Sequence, residues 1–428
     1  MPVLAAIGLG ALGVLLLWWS NTPAVSSFAD VITNAGRILG LLAGYGVVVL
    51  VALMARLPPL ERGIGTDRLA RWHAMGGRYI ISLITAHALL IIWGYALTAH
   101  TGVIQESGTL VLDYPDVMMA TVAAFLLLGV GIVSARAARR RLRYETWYYL
   151  HFYTYLAIAL AFSHQFATGA DFVASPSARI GWSAFYLSVG SAVLWYRIVC
   201  PLRNLARHQF RVTGLNREAP GVVSVHIGGR YLDELRAEPG QFFRWRFLTR
   251  GLWWSANPYS LSAMPHPDVL RITVKENGDH SGAVSRLRPG TRVIAEGPYG
   301  SMAVSRTGRQ VLLLAGGVGI TPLRAMFAAL PGDVTLIYRA SDIGDVVFRD
   351  ELETIAQARG ARVHYLIGSR AQLGGDPLSA RQLQALVPGL HRREAYLCGP
   401  AGMMEAAVTA LRAAGVPRRR IHYESFEF

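Results

Sequence analysis

At 428 residues, 52% of them hydrophobic and 16% charged, the chain is long for one domain and too apolar on average for a wholly soluble protein. Its formal net charge of +15 rests on arginine, with Lys275 the only lysine; no aromatic-interleaved basic motif accompanies it, so nucleic acid is not expected as a partner. Two cysteines, Cys200 and Cys398, exclude a disulfide framework.

Apolar runs near the roughly 20 residues that a spanning helix needs fall only before Pro201. Six spans are expected, at 3–19, 35–55, 72–98, 117–135, 147–167 and 180–199. No Arg or Lys precedes the first and no small-x-small site clearly follows it, so it reads as a retained helix rather than a signal peptide. Arg56, Arg62, Arg68 and Arg71 follow the second span, and Arg136, Arg139, Arg140, Arg141 and Arg143 follow the fourth. Those loops are expected on the cytoplasmic side. The opposite loops carry Asp30, Glu106, Asp113, Asp116 and Asp171. Arg203 and Arg207 close the last span, which returns the chain to the cytoplasm. The expectation is a multi-pass protein of the cell membrane, bathed in lipid, with a cytoplasmic soluble half.

Four histidines lie inside these spans: His73 and His87 on the third, His151 and His164 on the fifth. A histidine in hydrocarbon is costly unless its ring nitrogens are used, and neutral imidazoles serve as axial ligands of haem iron. His73 and His87 are 14 residues apart. At about 100° and 1.5 Å per residue that brings the rings to within about 40° of one face and about 21 Å apart in depth. His151 and His164 are 13 apart, which turns one ring about 140° from the other in an ideal helix. A local irregularity, or ligation from different sides, is then required. Both spans run outward, so depth pairs His73 with His151 on the inner side and His87 with His164 on the outer side. Packing histidines hydrogen-bonded within the bundle are the alternative.

The soluble half has two textures. From Phe210 to about Thr307, short alternating runs broken by Gly, Pro and Asn predict an antiparallel barrel. From Gln310 onward, buried strands alternate with helical stretches, which predicts a parallel doubly wound sheet. The expected domains are therefore a membrane helical bundle at 1–205, a barrel at 206–308 and an α/β domain at 309–428. Gly316, Gly317 and Gly319 follow a buried strand and precede Thr321 and Pro322, at the expected start of a helix. Glycines there admit a pyrophosphate, Thr321 is placed to cap, and Pro322 suits a first turn. Arg339 and Arg370 follow the next two strands, where arginine holds a 2′-phosphate, so NADPH is favoured over NADH.

In this order the features resemble the NADPH oxidase and ferric reductase family, a ferric reductase-like transmembrane domain fused to a ferredoxin-NADP-reductase-like module. The resemblance covers essentially the whole chain and includes the 14 and 13 histidine spacings. It implies two b-type haems on His73, His87, His151 and His164. It also implies FAD against Asn257-Pro258-Tyr259-Ser260-Leu261-Ser262, with Tyr259 stacked on the isoalloxazine and Ser260 reaching its N5 region. Relatives usually begin that motif with Arg; Asn257 departs from it and throws phosphate binding onto other donors. Gly282, Ala283, Val284 and Ser285 resemble the second half of the flavin site, with amides at a helix start, and Lys275 and His280 are nearby cations. Cys398 and Gly399 are implied beside the nicotinamide. At the C-terminus Phe426 or Phe428 is implied to cover the flavin until nicotinamide displaces it.

Together these imply an NAD(P)H-dependent transmembrane oxidoreductase passing electrons through FAD and two haems to an acceptor outside: a ferric chelate, dioxygen or a redox partner protein. The reading from another class is a membrane anchor or transport protein with a degenerate reductase module, which Asn257 encourages.

Overall fold

The computed structural model describes residues 2–22, 24–139, 141–142, 144–173, 175–300, 302 and 310–424. The chain divides into two compact units, Met1–Leu57 with Leu69–Tyr196, and Pro58–Arg68 with Arg197–Phe428.

The first unit is helical: α1 (Pro2–Asn21) and α2 (Phe28–Leu53), then, beyond the excursion α3 (Pro58–Ile64) that belongs to the second unit, α4 (Thr66–Ala99), α5 (Val103–Asp113), α6 (Val117–Ser134), α7 (Arg136–Arg139), α8 (Tyr144–Ala167), α9 (Ala170–Val173) and α10 (Pro176–Leu194). Caps rather than hydropathy set the ends. Ser27 and Asp30 form a reciprocal capping box that starts α2 seven residues before the apolar run. Ser175 caps α10 ahead of Pro176. Five stretches are long and apolar enough to cross a bilayer: Pro2–Asn21, Phe28–Leu53, Arg68–Ala99, Val117–Ser134 and Pro176–His208. The fifth expected span, not among these, is present as α8, a 24-residue helix. Its tyrosines, histidines and Gln165 leave it less apolar than the others, so it does not join the five. The amphipathic α5, with Glu106 and Leu110 buried and Ile104 exposed, has no apolar run and was not expected.

Glycines set how closely the helices approach. A Cβ on Gly40 would stand 2.6 Å from His87 Nδ1, one on Gly36 2.9 Å from Ile91 Cδ1, and one on Gly76 2.7 Å from Leu50 Cδ2. Gly36, Gly40 and Gly44 recur every fourth residue along α2, a small-residue stripe of the kind that lets helices in lipid touch backbone to backbone. α6 packs along α8.

In the second unit a π-turn (Trp195–Val199) has led into α11 (Cys200–His208). Six strands follow: β1 (Arg211–Ala219), β2 (Val222–Gly228), β3 (Phe242–Phe247), β4 (Asn257–Ser260), β5 (Val269–Lys275) and β6 (Val293–Tyr299), with α12 (Asp279–Val284) after β5. Where a barrel is expected, the strands form two three-stranded antiparallel sheets, ordered β1-β2-β5 and β4-β3-β6. Single bridges at Arg211–Arg292 and Leu261–Ile272 stitch them around one core containing Phe210, Ile227, Phe243, Trp245 and Ile272.

The last part comprises β7 (Gln310–Gly316), α13 (Ile320–Ala329), β8 (Asp333–Ala340), α14 (Arg349–Arg359), β9 (Arg362–Ile367), α15 (Ala380–Leu386), β10 (Glu394–Cys398), α16 (Ala401–Ala413) and β11 (Ile421–Glu424). The sheet is parallel throughout, in the order β11-β10-β7-β8-β9, as expected. Central β7 is buried from Val311 to Gly316, which is why it reads as an unbroken apolar run. An ion cluster ties the barrel to this sheet. Glu351 on α14 takes Arg271 of β5 at 2.7 Å and Arg324 of α13 at 2.6 Å, and Arg271 also donates to Ser262 O at 2.8 Å.

Candidate functional site

Each of the four intramembrane imidazoles has a polar partner at Nδ1. His73 Nδ1 meets Leu50 O at 3.0 Å and His87 Nδ1 meets Gly36 O at 2.8 Å. A carbonyl only accepts, so both Nδ1 atoms carry the proton. Thr168 Oγ1 stands 2.9 Å from His164 Nδ1 while its own hydrogen goes to His164 O at 3.0 Å; toward the ring it is an acceptor. Ser134 Oγ lies 3.4 Å from His151 Nδ1. Nε2 of each ring is left without a hydrogen bond among the described residues. A protonated Nδ1 held by an acceptor and a free Nε2 are what an imidazole needs to ligate iron. These residues therefore fit the haems the family implies.

The expected pairs are brought together. The His73 and His151 rings are 5.8 Å apart between centroids, and His87 and His164 are electrostatic neighbours. α8 runs unbroken from Tyr144 to Ala167. The 13-residue spacing is therefore carried on a continuous helix, without a break between the two rings. Sequence reasoning missed the partners Leu50, Gly36, Ser134 and Thr168. The stripe at Gly36, Gly40 and Gly44 is the signal that marks where α2 presents its backbone.

On the barrel, β4 lies against β3 with Tyr259 opposite Phe243 and Ser260 opposite Phe242. Tyr259 packs on the core, and burial pushes its hydroxyl up to about 12, so it presents a neutral ring. Ser260 is 3% exposed, and its hydroxyl has no hydrogen-bond partner among the described residues. A buried, unsatisfied hydroxyl is expensive, and one on this strand fits a flavin that would satisfy it. Asn257 Nδ2 contacts the His280 ring, 2.6 Å from Nδ1, so the residue at the expected arginine position is coupled to the nearest candidate cation. Lys275 is 3.7 Å from Asp345.

Two expectations on this face are corrected. Ser262 is fully buried, and its hydroxyl accepts from Thr273 Oγ1 at 2.8 Å in a chain continuing to Ser224; it braces strands instead of facing a ligand. Gly282, Ala283, Val284 and Ser285 do not open a helix. α12 begins at Asp279, Gly282 N already bonds Gly278 O at 2.9 Å, and Val284 is core.

On the sheet, the chain order reverses between β7 and β10, and such reversals are where doubly wound folds bind nucleotides, at the carboxyl ends of the strands. Gly316, Gly317 and Gly319 from β7 meet Cys398 and Gly399 from β10 at that point. A Cβ on Gly319 would collide with Cys398 O, and one on Gly399 would stand 3.1 Å from Gly316 Cα. Cys398 is fully buried, so its backbone rather than its thiol borders the cleft. Thr321 does not cap: its hydroxyl donates to Val318 O at 3.0 Å, while Pro322 is buried in the first turn of α13. Arg339 is also corrected. Its guanidinium is spent on the carbonyls of Ala340, Leu366 (3.0 Å) and Gly368, and it is not free for a 2′-phosphate. Arg370 remains exposed, 3.7 Å from Asp376. Phe426 and Phe428 lie outside the described residues.

Comparison with known proteins agrees with this division. Residues 39–162 match the family model "Ferric reductase like transmembrane component" and residues 313–409 match "Oxidoreductase NAD-binding domain". Over 206 residues the chain is 36% identical to the ferredoxin reductase component of 3-ketosteroid-9-alpha-monooxygenase of Mycolicibacterium smegmatis, covering 46% of this chain and 57% of that protein. It is 31% identical to a flavohemoprotein of Vibrio cholerae over 215 residues, covering 46% and 53%. Among solved structures, the FAD/NAD-binding domain of the nitric oxide dioxygenase of Vibrio cholerae aligns at 26% identity and a TM-score of 0.43, covering 50% of this chain and 97% of that one. The chain thus spans a little over half the length of these curated relatives. With its helices long and apolar enough for a multi-pass membrane protein, the chain belongs to the family in which a ferric reductase-like transmembrane component is fused to a ferredoxin-NADP-reductase-like oxidoreductase module.

Proposed function

We propose that the protein is a transmembrane NAD(P)H-dependent oxidoreductase that takes reducing equivalents on the cytoplasmic side and delivers them to an acceptor outside, such as a ferric chelate, dioxygen or a redox partner. The observation that carries this reading is the hydrogen bonding of the four histidines, each with Nδ1 at a polar partner, which is an acceptor for His73, His87 and His164. His73 with His151 would hold an inner b-type haem and His87 with His164 an outer one. FAD, when bound, supplies the exchange between a two-electron donor and one-electron carriers, and the haems supply one-electron relay across the bilayer.

The chain's own residues position these groups. Tyr259 offers a neutral ring and Ser260 an unsatisfied hydroxyl to the flavin, and Asn257 with His280 borders the same strand. Gly316, Gly317, Gly319 and Gly399 keep the cleft open to a pyrophosphate, and Arg370 is the remaining candidate for a 2′-phosphate. The arginine-rich loops after α2 and α6 support the cytoplasmic placement of the reductase module. Anaerobic addition of NADPH to the purified protein is expected to reduce flavin and then both haems; haem bands that stay oxidised overturn the reading. Repeating the reaction with ferric chelate, and then with oxygen and superoxide detection, selects the acceptor.

A further inference from the structure

Of the four histidines, His151 is held differently. His73 and His87 bond carbonyls, and His164 bonds a threonine whose hydrogen is committed elsewhere. The partner of His151, Ser134 Oγ, also receives the Trp147 indole N–H at 3.1 Å. An indole nitrogen only donates, so one lone pair of Ser134 is already taken. Ligation through Nε2 would leave the proton on His151 Nδ1, and Ser134 Oγ, at 3.4 Å the longest of the four contacts, would then be its acceptor. The Trp147 ring lies 5.3 Å from the His151 ring, tilted by 33°. Trp147 also carries the Arg139 guanidinium 4.3 Å from its centroid, inside the range of a cation–π contact. Arg139 ends α7 in the arginine-rich loop and is a charged neighbour of His151, whereas the charged neighbour of His164 is Asp116.

The geometry points to Ser134, Trp147 and Arg139 as positioning residues that tune the inner histidine pair separately from the outer one: Trp147 seats the Arg139 charge beside His151, and Ser134 sets how strongly that imidazole donates. The inference rests on the proposed haem ligation. The two influences have opposite signs. An acceptor on Nδ1–H makes the imidazole a stronger donor to ferric iron and lowers the potential for its one-electron reduction to the ferrous state. A seated positive charge favours the added electron and raises that potential.

Redox titration of the full chain in detergent, followed optically and by electron paramagnetic resonance, tests this in a His164→Leu background that isolates the inner centre. Arg139→Gln is expected to lower the midpoint potential of the remaining low-spin haem, Ser134→Ala to raise it, and Arg141→Gln, from the same loop, to leave it in place. In a Trp147→Leu background the Arg139→Gln shift is expected to vanish. Trp147→Phe, which keeps the ring and the haem content, is expected to preserve it. Equal shifts from Arg139→Gln and Arg141→Gln, an undiminished Arg139→Gln shift without Trp147, or an unchanged potential in Ser134→Ala overturns the inference. Failure of the functional reading is seen separately, as a parent protein that holds fewer than two bis-imidazole haems.

Discussion

Gly40→Ala isolates the claim that α2 places the outer imidazole. The new Cβ would stand 2.6 Å from His87 Nδ1 and 2.7 Å from its Cε1, so the ring must retreat by about 1 Å to reach an ordinary contact. That stretches the 2.8 Å bond to Gly36 O beyond hydrogen-bonding range. The lost bond is worth about 1 kcal/mol and the overpacking about 1–3 kcal/mol. Loss of such a supporting partner typically weakens metal affinity by about 10- to 100-fold. At limiting haem the variant is expected to carry about half the haem of the wild type, with flavin content unchanged and the inner low-spin signal retained. The assay is haem per protein by alkaline pyridine spectrum, beside Gly77→Ala on α4, where a Cβ meets nothing within 4 Å. A Gly40→Ala protein with two haems and an unaltered outer signal would refute the placement of His87.

Three further outcomes are expected. Ser260→Ala removes a buried hydroxyl that has no partner among the described residues; thermal stability of the flavin-free chain should hold, while stopped-flow flavin reduction by NAD(P)H slows about tenfold, the worth of one hydrogen bond. Gly319→Ala drives a methyl into Cys398 O, costing about 1–3 kcal/mol. It should raise the KM for NAD(P)H at least about tenfold while FAD content is kept, and an unchanged KM counts against nucleotide binding at the β7–β10 reversal. Glu351→Gln strands Arg271 and Arg324, whose side chains are 11% and 15% exposed; because Glu351 is itself a third exposed, the expected loss is about 1–2 kcal/mol, less than a fully buried pair would cost. Burial raises the Glu351 carboxyl, but hydrogen bonds and charge from Arg271 and Arg324 outweigh it and hold it below 4.5. Its contribution is therefore complete above that pH and lost as pH falls through the lower folded value, so the wild-type and Glu351→Gln melting curves should converge in acid.

What the sequence disclosed was chemistry that few residue types permit. Histidines within apolar runs have few uses, and the depth order of the loops pairs the same residues whose rings lie near each other. Gly319 was legible because only glycine admits the approach seen at Cys398 O, and Gly317 because its φ is +52°. The errors came where one residue type serves two ends. Arg339 looks the same in sequence whether it faces a phosphate or ties carbonyls at the ends of β8 and β9. Ser262 stands in the same motif as Ser260, yet it lies beyond the end of β4, where its N–H bonds Arg271 O and its hydroxyl joins the Thr273–Ser224 chain. The start of α12 was read three residues late because Gly282 and Ser285 imitate a helix opening, whereas Gly278, at φ 150°, is where the chain turns. The imidazole partners were invisible because two of the four are backbone carbonyls, which no side chain announces.

The composition of α8 bears on how the protein is made. Half of the proposed haem ligands sit on a helix that falls short of the apolar standard met by its neighbours, and hydrocarbon penalises each unsatisfied imidazole it carries. Left alone in lipid, that segment gains little from staying inserted; packed along α6, with Ser134 taking His151 and Thr168 taking His164, its polar cost is offset. Biogenesis should then be ordered, with α6 in place before α8 settles, and haem-starved cells should accumulate chains whose fifth expected span is open to protease.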